Sequence, residues 1–171
     1  QLGSLINVSQ TLSEAPLYID DTPEISPRHI HDKLCRLNDN HKIGLVVIDY
    51  LQLMSSDSRA FSKDQEISEI SAALKALAQE FNTPVVVLSQ LSRSLEDRRN
   101  KRPQLADFRE SGAIEKEANT ICLIYRDEVY NPDTPDRGVA EIITTKSRTG
   151  PVDTIHLKWY PKILKFESLL P

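Results

Sequence analysis

Asp49 closes the apolar run LVVI, and the carboxyl end of such a strand is where open α/β sheets bind ligands. Its carboxylate is a hard oxygen donor, suited to a hydrated magnesium ion that carries nucleotide phosphates. The same pattern also fits an aspartate that merely starts a turn. Ser89 and Gln90 stand at the corresponding end of a second apolar run, VVVL. A glutamine amide there can donate to a terminal phosphate and orient a water, or simply be solvated. Lys146 and Arg148 lie two positions apart near the end of a third candidate strand, so the two-residue side-chain period turns both to one face. Paired cations can neutralise charge that develops during phosphoryl transfer. On an edge strand they also deter aggregation.

The stretch from Arg93 to Arg102 sets Arg93, Arg98, Arg99, Lys101 and Arg102 against Glu96 and Asp97. Such a run can meet a polyphosphate backbone or form a solvated face. In DFRESGAIEKEAN, Arg109 offers a planar fork for phosphate and Gly112 lets the backbone approach a ligand. Ser111 can instead cap the following helix, with Ile114 packing inward. Cys35 and Cys122 are the only cysteines, and neither belongs to a CxxC or Cys/His cluster. That argues against a structural zinc site or a disulfide framework and predicts two buried free thiols in a reducing cytoplasm.

A chain of 171 residues with 39% hydrophobic content can bury one core. Its formal charge of −4 gives no global basic footprint, so any nucleic-acid contact must come from local loops. No apolar run approaches the roughly 20 residues of a membrane span, and nothing at the start of these residues resembles a signal peptide.

These side chains need elements to position them. Leu2, Leu5, Ile6, Val8 and Leu12 suit a short amphipathic helix stopped by Pro16, followed by a short strand, LYIDD. Ser26 before Pro27 opens a helix to about Asn40, with Ile30, Leu34 and Leu37 on one face. LVVI, without polar alternation, predicts a strand buried on both faces. Beyond SSDSRAFSKDQ, Ile67, Ile70, Leu74, Leu77 and Phe81 recur at helical spacing until Thr83 and Pro84, and VVVLSQ supplies the next strand. Leu91 to Arg109 reads as a loop or mobile segment before a small helix around Ile114 to Asn119. A strand over about Thr120 to Arg126, the turn-rich DEVYNPDTPDRG, and a meander of VAEIITTK, TIHLKWY and ILKFES complete the chain. The order predicts one α/β domain with a mostly parallel sheet flanked by helices and antiparallel strands at its C-terminal edge.

VVIDYLQLM, EISEISAALKALAQEFNTPVVVLSQLSR, KRPQLADFRESGAIEKEAN, IYRDEVYNPDT and GVAEIITTKSRTGP, in that order, resemble the DnaB family of replicative DNA helicases. The match runs from about Leu17 to Phe166. It implies a partial RecA-like C-terminal domain over 1–171, with an N-terminal helix at 1–16, a core at 17–167 and a tail at 168–171.

The resemblance also implies roles. Asp49 would be the Walker B aspartate, holding Mg2+ through water. Gln90 would sense the terminal phosphate of ATP. Lys146 and Arg148 would reach the nucleotide of the neighbouring subunit in a ring homo-hexamer. Arg109, Glu110 and Gly112 would follow the phosphates of single-stranded DNA, with the loop from Ser55 to Asp64 also facing the channel. A primase, a helicase loader and a cytoplasmic, nucleoid-associated replisome are the implied partners and place. Two features of the family pattern are missing from these 171 residues: a GxxxxGK[ST] phosphate loop and the acidic residue that follows it. The expectation is therefore a fragment, downstream of those parts and of the N-terminal domain, that hydrolyses no ATP alone although the intact protein does. Another RecA-like ATPase and a non-catalytic interaction module are the competing readings.

Overall fold

The structure is a computed structural model that describes residues 2–39, 41–58, 60–108 and 112–169. Arg109, Glu110 and Ser111 lie outside them. The first helix, α1 (Leu2–Glu14), forms where the periodicity places it, and Ile6, Val8 and Leu12 are each more than half exposed on it. α2 (Pro27–Asn38) opens as expected: the Ser26 hydroxyl accepts from the His29 N–H, with Pro27 at the first helical position.

β1 (Val46–Ile48) and β2 (Val85–Val87) flank α3 (Lys63–Glu80) in sequence and pair in parallel, with Val46 opposite Val85 and Ile48 opposite Val87. Parallel pairing needs a crossover long enough to return the chain, and α3 provides it. Ile67 and Ile70 on α3 are each 1% exposed and pack with Leu74, Leu77, Leu34 of α2 and Ile48 of β1. Asn82 ends the helix in the left-handed conformation at φ 46°, allowing the Thr83 N–H to reach the Ala78 carbonyl at 3.1 Å. The Thr83 hydroxyl then donates to the Ile43 carbonyl at 3.0 Å, so one buried side chain joins the starts of β2 and β1.

Ser62 caps the other end of α3, accepting from the Gln65 N–H at 3.2 Å, with Asp64 and Glu66 in the first turn. Because α3 carries the core, losing this cap should appear in global stability. Ser62→Ala is expected to cost about 1 kcal/mol, read as a lower denaturant midpoint at unchanged slope.

After α4 (Gly112–Glu117), β3 (Thr120–Tyr125), β4 (Val139–Ser147), β5 (Thr154–Tyr160) and β6 (Lys165–Ser168) form an antiparallel meander in the order β3-β4-β5-β6. Among the described residues, backbone hydrogen bonding divides the strands into this meander and the parallel β1-β2 pair. The α/β class, with the antiparallel strands toward the C-terminus, is as the residue pattern predicts.

Four expectations change. LYIDD is not a strand: residues 17–21 run as irregular chain, and Asp20 is tied to Lys33 of α2 at 2.5 Å. That ammonium and the Thr22 hydroxyl hold the Asp20 carboxyl down to about 2. β1 is not buried on both faces, because α2 and α3 cover one side only, leaving Val47 58% and, on β2, Val86 46% exposed. Both cysteines are exposed. Cys122 points to the open side of β3, opposite its buried neighbours Ile121 and Leu123, and Cys35 lies one residue past the buried face of α2 marked by Leu34.

The fourth change concerns Leu91 to Arg109. From Leu91 to Phe108 it is folded through two short 3-10 turns, Arg93–Asp97 and Leu105–Asp107, with Leu95 buried. Asp107 is buried and accepts from both terminal nitrogens of Arg98 at 2.9 Å and from the Gln104 N–H at 2.7 Å. Arg102 makes a second bidentate pair with Glu141 of β4, at 2.7 and 2.5 Å, and lies 5.5 Å over the Tyr125 ring. Burial, then the hydrogen bond to Asp127, pushes the Tyr125 phenol up to about 12. Arg98 and Arg102 are thus internal fasteners and Lys101 donates to the Glu96 carbonyl, while Arg93 and Arg99 remain exposed.

Candidate functional site

β1 and β2 end side by side, which brings Asp49 and Gln90 to one edge. The Leu88 N–H donates to the Ile48 carbonyl and the Leu51 N–H to the Leu88 carbonyl, both at 2.9 Å. The chain then leaves the strand through a cis peptide at Asp49-Tyr50 and enters a 3-10 turn, Leu51–Leu53. Leu51 and Met54 plug that turn into the core at 2% and 4% exposure. Asp49 itself is exposed, and among the described residues no group donates to its carboxylate. A single exposed carboxylate at a strand end fits a magnesium ion that keeps most of its waters and takes its other ligands from phosphates. No set of three or more potential metal-binding side chains exists among the described residues, so an all-protein cage does not fit.

Gln90 is exposed too, and its side-chain amide makes no hydrogen bond among the described residues. Its main chain, by contrast, is held. The Gln52 side-chain amide donates to the Ser89 hydroxyl at 3.0 Å and to the Gln90 carbonyl at 3.3 Å, and its oxygen accepts from the Gln90 N–H at 3.3 Å. Sequence reasoning missed Gln52. The available signal was an amide inside the apolar run LQLM, where a polar group that packs inward must find partners.

Lys146 and Arg148 do point the same way. A bulge in β4, with Ile121 opposite Lys146 but Cys122 opposite Thr144, re-aims the strand end. Lys146 donates to the Glu115 carbonyl and Arg148 to the Lys116 carbonyl at 2.7 Å, so consecutive acceptors at the end of α4 receive both cations. The Arg148 N–H adds a bond to the Asn119 carbonyl at 3.0 Å, and the Asn119 side chain accepts from Lys75 of α3. The last carbonyls of a helix lack intrahelical donors and carry negative partial charge, which is why cations settle there. No hydrogen bond or ion pair joins this cluster to Asp49 or Gln90 among the described residues.

Gly112 begins α4, and a Cβ placed on it would meet nothing within 4 Å among the described residues. Ile114 packs against the main core from the same short helix. Arg109 and Glu110, the other two residues of the expected nucleic-acid segment, lie outside the described residues, as does the Ser111 cap. In the loop from Ser55 to Asp64, Ser55 and Ser56 are half-buried and Ser58 and Ser62 exposed. Ser55 donates to the Glu24 carbonyl at 2.6 Å and Ser56 to Glu69 at 2.7 Å, while Asp57 accepts from Ser26 at 2.5 Å. Phe61 of this loop is 97% exposed.

The family described as DnaB-like helicase C terminal domain matches residues 1–168. The chain is 46% identical over 168 residues to a replicative DNA helicase DnaB of Geobacillus stearothermophilus, covering 98% of this chain and 37% of that protein. It is 43% identical over 168 residues to the replicative DNA helicase DnaC of Bacillus subtilis, with the same coverage. Among solved structures, one described as an ATPase domain superposes with a TM-score of 0.93 at 36% identity, over 98% of this chain and 60% of that one. A DnaB-like replicative helicase, described with its interactions with primase, gives 0.92 at 36%, over 98% and 42%. The chain spans about a third of the length of the curated relatives it matches.

Proposed function

This chain belongs to the DnaB-like helicase C-terminal domain family, and from that premise we propose that it is the RecA-like motor portion of an ATP-driven replicative DNA helicase. In a polypeptide of the relatives' full length, a ring homo-hexamer would translocate on single-stranded DNA and part the duplex ahead of it. Primase and a helicase loader would be its partners in the cytoplasmic replisome. The observation that carries this reading is the juxtaposition of Asp49 and Gln90 at the carboxyl ends of adjacent parallel strands.

The residues divide the work. Magnesium, when bound, would supply positive charge to the nucleotide phosphates. Asp49 would anchor the ion's water shell with its unengaged carboxylate. The Gln90 amide, free at its side chain, would orient the attacking water or donate to the terminal phosphate. Lys146 and Arg148 would serve a neighbouring subunit's nucleotide, where a planar guanidinium meets phosphate oxygens with two donors at once. Arg109, Glu110 and Gly112 would track the DNA backbone. Phosphate contacts carry no base information, so movement would be independent of sequence.

Hydrolysis needs a phosphate-cradling loop and a base, and neither motif occurs in these 171 residues. We therefore expect no ATP turnover from them alone. The reading is tested in the full-length protein by calorimetry with a non-hydrolysable ATP analogue. Asp49→Asn is expected to weaken magnesium-dependent binding by about tenfold while leaving magnesium-free binding unchanged. Equal affinity with and without magnesium in the parent protein would remove the role of Asp49. No nucleotide binding at all would favour an interaction module.

A further inference from the structure

We propose that Gln52 is a positioning residue that fixes the main chain of Gln90 relative to Asp49, and so sets where the Gln90 side chain reaches. The inference rests on the roles just given to Asp49 and Gln90. It starts from a break in the sheet. β1 ends at Ile48, and after Asp49 the backbone turns away into the Leu51–Leu53 turn. The neighbouring segment, Ser89 and Gln90, runs on past the last strand pair and would lose its partner there. The Gln52 side chain takes the place of the missing strand, accepting from the Gln90 N–H and donating to the Gln90 carbonyl, as a paired backbone would.

The assignment of the amide is unambiguous. The Gln90 N–H requires an acceptor and its carbonyl requires a donor, so a flipped Gln52 would oppose like groups at both contacts. Both Nε2 hydrogens are committed, one to the Gln90 carbonyl and the other to the Ser89 hydroxyl. The base of the clamp is equally fixed, since Leu51 and Met54 on either side are buried in the core. The result is a main chain referenced to the strand that bears Asp49 and a Gln90 side chain with no hydrogen bond among the described residues. At 3.3 Å the two main-chain contacts are long hydrogen bonds. They suit a segment that must hold a position and also shift when its side chain gains a partner.

The test uses the full-length protein and DNA-stimulated ATP turnover. Gln52→Met keeps the side-chain length but removes every hydrogen bond. It is expected to lower kcat about tenfold with KM for ATP within about twofold and an unchanged thermal midpoint. Added to Gln90→Ala, it should slow the residual rate no further, because a residue acting through Gln90 is not additive with its loss. Hydrogen exchange should rise at 89–91 in Gln52→Met. Wild-type kcat or unchanged exchange in Gln52→Met would overturn the inference, as would a full further loss in the double variant. If Gln90→Ala itself turns over ATP like the parent, the reading of Gln90 fails first and this inference with it.

Discussion

Arg148→Ala in the full-length protein is expected to abolish ATP turnover, lowering kcat by about a thousandfold or more, while nucleotide affinity stays within a few-fold of the parent. The size follows from the role proposed for a finger, which acts on charge that exists only in the transition state, so its loss falls on kcat and not on binding. The structure makes the variant clean. Arg148 is exposed, and among the described residues its guanidinium is engaged by one carbonyl, that of Lys116 at 2.7 Å. Truncation therefore removes one surface hydrogen bond, worth about 1 kcal/mol at most in the fold. Arg148→Lys separates charge from shape, since an ammonium keeps the charge but lacks the fork. The trans geometry has its own readout: mixing Arg148→Ala with Asp49→Asn subunits should restore part of the turnover, because some interfaces then combine an intact strand end with an intact finger. Steady-state turnover of Arg148→Ala at the parent's rate would show that Arg148 is not the finger.

Asp107→Ala is the substitution expected to cost most in stability. Its carboxylate is 7% exposed and takes three donors, two from Arg98 and one from the Gln104 backbone. Removing it leaves the Gln104 N–H without its acceptor and a guanidinium, 33% exposed, without its counter-ion. A fully buried pair broken on one side costs about 3–5 kcal/mol. Because water reaches Arg98 in part, about 2–3 kcal/mol is expected here, measured by chemical denaturation. Arg99→Ala, from the same charge run but without a partner among the described residues, should change stability by less than about 0.5 kcal/mol. Equal effects of the two substitutions would mean that the Arg98 and Asp107 pair fastens nothing.

The same pair shows where reading the sequence stops. Charge runs are solvated by default, and nothing in RSLEDRRNKRPQLAD reveals that Asp107 folds back beneath Arg98 or that Arg102 crosses to Glu141, because both contacts depend on how a loop closes in space. Apolar periodicity carries more. It located α3 and its four buried positions, both parallel strands and the meander, since burial along one element repeats with the element's own period. It could not say how many faces of a strand are covered. LVVI and TICLIY contain no polar alternation, yet Val47 and Ile124 are 58% and 60% exposed, because coverage depends on a second layer. The assumption of buried thiols failed for the same reason at Cys122. Within the site, Asp49 and Gln90 were legible as polar ends of apolar runs, and Lys146 with Arg148 as a period-two pair. Gln52 was not, because its partners lie 37 and 38 residues away. The bulge at the end of β4 had no sequence signature either.

The carbonyls of Glu115 and Lys116 hold Lys146 and Arg148 in this structure, and each cation can satisfy only so many acceptors at once. Drawing the two cations elsewhere removes their hydrogen bonds to the end of α4, and disordering α4 removes the same bonds from the cations. Thermodynamic reciprocity makes the two effects equal in free energy. α4 begins at Gly112, one residue beyond the segment of Arg109 to Ser111. On the roles proposed for Arg109, Glu110 and Arg148, binding at that segment and engagement of Arg148 at a distant acceptor would be two ends of one balance, read as a mutual change in affinity without any contact between the ligands.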